Sequence, residues 1–499
     1  MAGRALVTRL GPRMHPDPQR VVARLFLPGQ EMMGNGESRA AGVVARILAL
    51  PDDEVASALD DVMTRFGGRH RGFRSTLEHH FDLVAHRLNG SVRPSPERRL
   101  LMGAFFTNEF SVEAAAVCNP SMVLDPDQDG LAPGQARFVM SLRGIGEGHI
   151  SCIEFRTGVI DAAGEVHLDD PGPFLVPGRS TASVYERELF QGKLAESGHS
   201  GESASFVLDS LPARFTPTQL DTALADLEAQ IVTHSGVRET IDRFRHIAFS
   251  NYDTEFPADS TIAERVLLPA GPAESHGMED ARFVRFTDDD GRVTYYGTYT
   301  AFDGVHVAPQ LVETEDFRRF RVVQLTGPAA RNKGLALFPR RISGRYAALS
   351  RWDRERNSVA FSEDCRSWAA GVAFQAPERP WELLQLGNCG SPIETPEGWL
   401  VLTHGVGPLR VYSIGAVLLD LDDPTRLRAS LSAPLMVPDD TERDGYVPNV
   451  LYSCGALLHG DCLVIPHGIS DAMIGFAVVD LGELLHRLLS EAEPGGPSA

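Results

Sequence analysis

Apolar residues recur three and four positions apart in RAAGVVARILALP, DDEVASALDDVMTRF and RSTLEHHFDLVAHRL, each run bounded by Gly, Pro or an Asp-rich start. That period predicts a small helical region within residues 1–110. A second helical stretch is expected at about 216–249, where TPTQLDTALADLEAQIVTH opens on a Thr-Pro-Thr capping signal and SGVRETIDRFRHIAF follows. Elsewhere the pattern changes to short alternating runs rich in Val, Ile, Tyr and Phe, separated by Gly, Asp and Asn turns: ARFVMSL, HISCIEFR, ARFVRFTDDDGRVTYYGTYT, GRYAALSRW, GWLVLTH and GDCLVIPHG. These read as hairpins. EDARFVRFTDDDGRVTYYGTYT, CGSPIETPEGWLVLTHG and CGALLHGDCLVIPHG share a form, a polar entry, a strand, a tight turn and a second strand. Such units, recurring roughly every 50 to 70 residues without helices between them, suggest propeller blades, whose radial repetition leaves only short edges. A β-sandwich is the alternative, and five or so comparable hairpin units fit a propeller better.

The length of 499 residues exceeds what one growing core supports, so two domains or one large repeat-built domain are expected. Hydrophobic residues at 43% and charged residues at 23% are ordinary globular values and exclude a disordered or collagen-like chain. No stretch approaches about 18 uninterrupted apolar residues, and the N-terminus has arginines but no apolar core of a signal. The expectation is a soluble, cytoplasmic protein with no membrane partner. The net charge of −20 argues against nucleic acid. Residues 1–110 carry 15 Arg, no Lys and 12 acidic residues, a net of +3 that leaves −23 for the rest and marks a boundary near 110. Arginine-rich stretches such as RFGGRHRGFR suit an acidic surface, on the remainder of the chain or on another copy in a homo-oligomer. Six widely spaced cysteines without a CxxC pair read as reduced thiols, and no metal site is expected.

In a propeller the entrances of the innermost strands converge on one central pocket, so polar residues there are the candidates for chemistry. They are Asn119 and Ser121 in CNPSM, Arg143 in SLRG, Glu279, Asp280 and Arg282 in GMEDARF, Asn332 and Lys333 in RNKGLALFP, His404 in LTHG, and His467 and Asp471 in IPHGISD. GIGEGHI at 144–150 joins two strands and is a turn rather than a phosphate loop. HHFDLVAH at 79–86 lacks the HExxH spacing and reads as a solvated helix face. Lysine is nearly absent from the chain: Lys193 is the only other one, so Lys333 stands out.

HGMEDARFVRF, NKGLALFPRRISGRYAALSRWDRERN, SPIETPEGWLVLTHGV followed by YSIGAVLLDLDDPTRL, and GYVPNVLYSCGALLHGDCLVIPHGISDAMIGFAVVDL resemble, in order, the motifs of glycoside hydrolase family 130. The resemblance covers roughly 111–485 and implies a five-bladed β-propeller carrying a 1–110 helical extension, a helical insertion at about 216–249 and a 486–499 tail. NEFSVEAAAVCNPSMVLDPDQDG, with the helical region before it, resembles a longer branch of the family. The family comprises inverting β-mannoside phosphorylases and a smaller set of β-1,2-mannosidases. By that resemblance Asp280 is the acid that protonates the glycosidic oxygen by way of a sugar hydroxyl. Asn119, Ser121, Glu279, Arg282 and Asp471 then hold the sugar, and Arg143, Lys333, His404 and His467 surround phosphate. His467 stands where phosphorylases commonly carry tyrosine.

Physical logic separates the readings. An inverting hydrolase needs a second carboxylate to activate water. Phosphate is already an anionic nucleophile and needs a cationic cradle instead. The leading expectation is therefore phosphorolysis of a β-mannoside to mannose 1-phosphate, with no cofactor beyond inorganic phosphate as co-substrate. A β-mannosidase using Glu147, Glu394 or another carboxylate as base, and a non-catalytic sugar-binding propeller, are the alternatives. Asp280 is expected to arrive protonated, its pKa raised by burial and neighbouring carboxylates.

Overall fold

A computed structural model describes residues 6–29, 38–88, 92–229 and 236–492. The chain divides into two compact units: Met1–Pro16, Ala115–Pro171 and Gly178–Ala499 form one, and Asp17–Ala114 with Gly172–Pro177 form the other.

The smaller unit is mainly helical, with helices Arg39–Ala49, Asp52–Phe66, Phe73–Val84 and Pro96–Phe105 and a two-stranded sheet pairing Val21–Leu25 with Thr107–Ser111. Ser38 and Ser95 begin the first and last helices, their hydroxyls accepting from the Ala41 and Arg98 amides, and Pro96 takes the first helical position where no N–H is needed. Val44, Ile47, Phe81, Leu101, Met102 and Phe106 close the core. The buried Arg98 guanidinium donates to the carbonyls of Ile47 and Leu50 and to Asp52, satisfying acceptors that the first helix leaves at its C-terminus. Gly103 permits close helix contact, since a Cβ there would stand 2.0 Å from the Leu77 carbonyl oxygen.

The larger unit is built mostly of sheet. Among the described residues most of its strands fall into five antiparallel groups, and Tyr185–Glu186 pairs separately with Arg214–Phe215. The first runs Ala116–Leu124, Ala136–Ile145 and Ser151–Ile160, with Val166–Leu168 at its edge. Gly277–Thr287, Val293–Phe302, Val307–Thr314 and Arg319–Gln324 make the second, extended by Tyr252–Glu255 and Arg179–Ala182. A parallel bridge between Gly277 and Ser151 joins it to the first. The third holds Ala336–Leu337, Tyr346–Ser350, Asn357–Ser362 and Val372–Gln375. The fourth holds Gln385–Asn388, Gly398–Val406, Tyr412–Leu419 and Leu427–Ser430. In the last, Leu451–Tyr452, Cys462–Ile469 and Met473–Asp480 are joined by Val7–Met14 from the start of the chain.

Three segments differ from the periodicity. Val7–Met14 is a strand, although it falls within the 1–110 stretch read as helical. It pairs with Met473–Asp480, and its register shifts between Arg9 and Arg13 across Gly11 and Pro12, where proline has no N–H for the ladder. The helical insertion begins earlier than 216: Arg187–Glu196 and Glu202–Ser210 precede Pro217–Ala229 and Val237–Phe249, and all four share a core of Phe190, Val207, Leu224, Leu227, Phe244 and Ile247. The end of the 216–249 reading's first helix, residues 230–235, lies outside the described residues. The expected tail from 486 is, as far as 492, part of the helix Leu481–Ala492, whose Leu484, Leu485 and Leu488 pack with Leu463, Ile465 and Val479; residues 493–499 lie outside the described residues. Among the described residues no helix is long and apolar enough to cross a membrane.

Candidate active site

Three strand irregularities aim side chains at one place. The ladder of Ala116–Leu124 shifts register between Cys118 and Ser121, and that of Gly277–Thr287 between Glu279 and Arg282. Asn119 and Asp280 sit inside these bulges with φ of 51° and 55°, and Asp471 turns the last hairpin at 48°. Left-handed backbone is costly for a residue with a Cβ, and Asn and Asp bear it best, so the residue types fit the conformation. Bulges re-aim side chains out of the regular alternation.

The result is a cavity of about 360 Å³. Seven of the expected residues line it: Asn119, Arg143, Asp280, Arg282, Lys333, His404 and Asp471. Arg143 and Lys333 both grip Glu279 behind the cavity, each at 2.6 Å, and reach toward Asp280 at 3.6 and 3.9 Å. Arg282 is held by the Cys389 carbonyl at 2.7 Å, its own strand's Asp280 carbonyl at 2.7 Å and the Tyr452 hydroxyl at 2.9 Å. His404 Nε2 lies 3.4 Å from Arg351 Nη1 and 3.3 Å from Gln385 Nε2, and its ring meets Tyr452 edge-on at 4.8 Å.

Burial raises the Asp280 carboxyl, but Lys333, Arg143 and Arg282 outweigh it and hold the group below its ordinary value. The expectation of a protonated Asp280 is thereby corrected: the groups crowding it are mainly cations, not carboxylates. Lys333 is moved the other way, burial being overcome by Asp280 and Glu279. Asp471 is the raised carboxyl of the cavity, pushed to about 6 by burial, which Arg143 only partly opposes. Burial, with Arg351 and Arg282 adding, drives His404 well below 6.5, so its imidazole is neutral.

Four expected residues do not line the cavity. Glu279 serves as the shared carboxylate partner just described. Ser121 is fully buried, and its hydroxyl accepts from the Phe283 amide at 3.1 Å, tying the strand of Asn119 to that of Asp280. His467 is buried on the far side of its strand, with Nδ1 3.3 Å from the Ile465 carbonyl and Nε2 3.6 Å from Glu442, so it is not part of a phosphate cradle in this structure. Asn332 turns with φ of 63° and donates to the Arg351 carbonyl at 3.2 Å. The proposed hydrolytic bases are also elsewhere: Glu147 is exposed, and Glu394 is exposed and paired with Arg340 at 2.7 Å.

Sequence reading missed Arg351, Asn388, Arg410 and Tyr452, all on the lining. Among the described residues, buried Arg351 Nε and both polar atoms of the Asn388 amide have no hydrogen-bond partner. Buried polar groups are ordinarily satisfied, so atoms of this kind facing a cavity point to a polar ligand. Five cations (Arg143, Arg282, Lys333, Arg351 and Arg410) face two carboxylates there, the reverse of the chain's overall balance. No group of His, Cys, Asp and Glu among the described residues is placed to hold a metal ion.

Residues 251–490 match the sequence model of a family described as beta-1,4-mannooligosaccharide phosphorylase. A 1,2-beta-oligomannan phosphorylase of a Thermoanaerobacter species is 34% identical over 227 residues, 42% of this chain and 71% of that protein. A beta-1,2-mannobiose phosphorylase of Listeria innocua is 34% identical over 243 residues, 47% of this chain and 66% of that one. The solved structure of the Listeria innocua beta-1,2-mannobiose phosphorylase with beta-1,2-mannobiose aligns over 76% of this chain and 93% of its own, at 22% identity and a TM-score of 0.45.

Proposed function

The chain belongs to glycoside hydrolase family 130, and from that premise we propose that it is an inverting phosphorylase of β-mannosides, releasing mannose 1-phosphate. The observation that carries the reading is the cationic lining around Asp280, with the unpaired Arg351 Nε and Asn388 amide, inside a chain of net charge −20. Such a lining suits a phosphate dianion. The five antiparallel strand groups, the last one completed by the first strand of the chain, support a five-bladed propeller around this cavity.

In the proposed reaction a phosphate oxygen attacks the anomeric carbon from the face opposite the leaving group. The C1–O bond to the departing sugar breaks, and its oxygen takes a proton that originates on Asp280 and passes through a sugar hydroxyl. Neutral His404 serves as a hydrogen-bond partner rather than a charge. Lys333 and Arg143 hold Asp280 ionised in the free site, so bound phosphate acts twice. It is the nucleophile, and its negative charge offsets those cations and raises the acid toward protonation. The mannosidase alternative lacks support at its named bases, since Glu147 and Glu394 do not line the cavity.

The test is release of mannose 1-phosphate from a panel of β-mannosides with and without inorganic phosphate. Phosphate-dependent release is expected, and Asp280→Asn should lose about 100-fold or more in turnover, the scale of general acid catalysis. Free mannose formed at the same rate without phosphate would overturn the reading.

A further inference from the structure

The cavity is small for its proposed task. At about 360 Å³ it lies near the lower end of ligand sites, about 300–1,000 Å³. It suits one sugar ring with a phosphate, so the remaining sugars of a manno-oligosaccharide must lie beyond its rim. Two rings that the reaction does not use are carried by segments adjoining its wall. His149, in the turn between strands Ala136–Ile145 and Ser151–Ile160, lies against Tyr446, with centroids 5.9 Å apart and planes inclined by 30°. Tyr446 Oη and His149 Nδ1 are 2.9 Å apart. Both side chains are exposed, Tyr446 at 49%.

Both rings are anchored to residues of the cavity wall. The turn carrying His149 leads into Ser151, whose hydroxyl accepts from Arg143 Nε at 2.8 Å. Tyr446 precedes Val447, which lines the cavity and whose amide donates to the Ser470 carbonyl at 2.9 Å, one residue before Asp471. Gly445 fits tightly there, since a Cβ would stand 2.7 Å from Ser470 Cβ. The Asn449 carbonyl accepts from Tyr412, another lining residue, at 2.9 Å. The ring pair therefore joins the Arg143 side of the rim to the Asp471 side, through residues 297 apart in sequence.

We propose that the His149–Tyr446 pair is the acceptor platform, on which the leaving sugar of a manno-oligosaccharide stacks its pyranose face. This rests on the β-mannoside reading above and adds where the second sugar is held. An exposed aromatic surface offers the C–H face of a pyranose apolar contact, while the free imidazole nitrogen meets its hydroxyls. The unpaired polar atoms of Arg351 and Asn388, to which the proposed reaction assigns phosphate, belong to other strand groups, so phosphate and acceptor recognition would be carried by separate residues.

The experiment has two readouts on the full chain. Calorimetric titration of β-1,2-mannobiose measures binding without turnover. Synthesis from mannose 1-phosphate with mannose as acceptor measures the two KM values separately. Tyr446→Ala is expected to weaken mannobiose binding and raise the acceptor KM by about 3- to 10-fold, with the KM for mannose 1-phosphate unmoved. Tyr446→Phe keeps the ring and should remain near wild type. An unchanged acceptor KM in Tyr446→Ala, an equal loss in Tyr446→Phe, or absence of mannobiose binding by the wild type would overturn the platform. A wild type that binds mannobiose and releases only free mannose would overturn phosphorolysis alone, leaving the platform to be judged by the titrations.

Discussion

Asp471 gives the cavity a pH-dependent cost. Its carboxyl is raised from 3.8 to about 6 in the folded chain, so between those values the native state holds more protons than the unfolded one and stability falls as pH rises. The full penalty, on the order of 3 kcal/mol at about 1.4 kcal/mol per pKa unit, applies above pH ~6 and vanishes below pH ~4. Asp471→Asn is therefore expected to melt higher than wild type at pH 7.5 and alike at pH 4, a difference that calorimetry at the two pH values would read. Equal melting at both would show that the carboxylate is not penalised. Much of this cavity was legible residue by residue. Asn119, Arg143, Asp280, Lys333, His404 and Asp471 belong to motifs whose polar residues stand out against apolar strands. His467 was misplaced because strand alternation decides which face a side chain takes, and at Cys462–Ile469 that face turns toward Glu442. Arg351 and Asn388 escaped because nothing local distinguishes a cavity arginine or asparagine from a surface one.

At the scale of elements, the first strand is held by more than its ladder. Glu442 is buried, and Arg9 Nη2 reaches it at 2.8 Å, Arg13 Nη2 at 3.4 Å and His467 Nε2 at 3.6 Å. Burial raises the Glu442 carboxyl, but its contacts with His467 and Arg9 prevail and hold it far below the usual range. Its contribution is thus present above the ordinary carboxylate pKa and is lost as pH falls through the depressed folded value. Removing one member of a buried ion pair leaves the others uncompensated. Because Arg9 and Arg13 are partly exposed, Glu442→Ala is expected to cost about 3 kcal/mol, the lower end of what breaking a buried ion pair costs, read as a fall in the urea midpoint at unchanged slope. A loss below about 0.5 kcal/mol, as at ordinary surface sites, would show the cluster to be dispensable. The strand itself was hidden from periodicity by its short, arginine-broken alternation and its proline. The helices at 187–210 were hidden by the glycine and serine between them.

On the scale of the molecule, the helical unit is spliced into the larger one after its first strand. The two ends of the splice lie together, the Asp17 amide donating to the Glu113 carboxylate at 2.7 Å and the Val112 amide to the Arg20 carbonyl at 3.1 Å. Every cavity residue comes from the larger unit. Joining Pro16 to Ala115 through a short Gly-Ser linker is expected to leave phosphate affinity within about threefold, since insertions with close ends are commonly separable. Calorimetric titration of phosphate into the excised protein would decide it, and a folded product without phosphate binding would give the helical unit a part in the site. The left-handed residues Asn119, Asp280 and Asp471 have a further consequence for anyone adapting the protein to heat. Glycine adopts their backbone angles without the steric cost that a Cβ incurs there, on the order of 1 kcal/mol per residue. A selection that rewards survival at high temperature alone would therefore enrich glycine at three positions of the cavity wall, and under the proposed reaction a protein that lost Asp280 this way would be robust but inert.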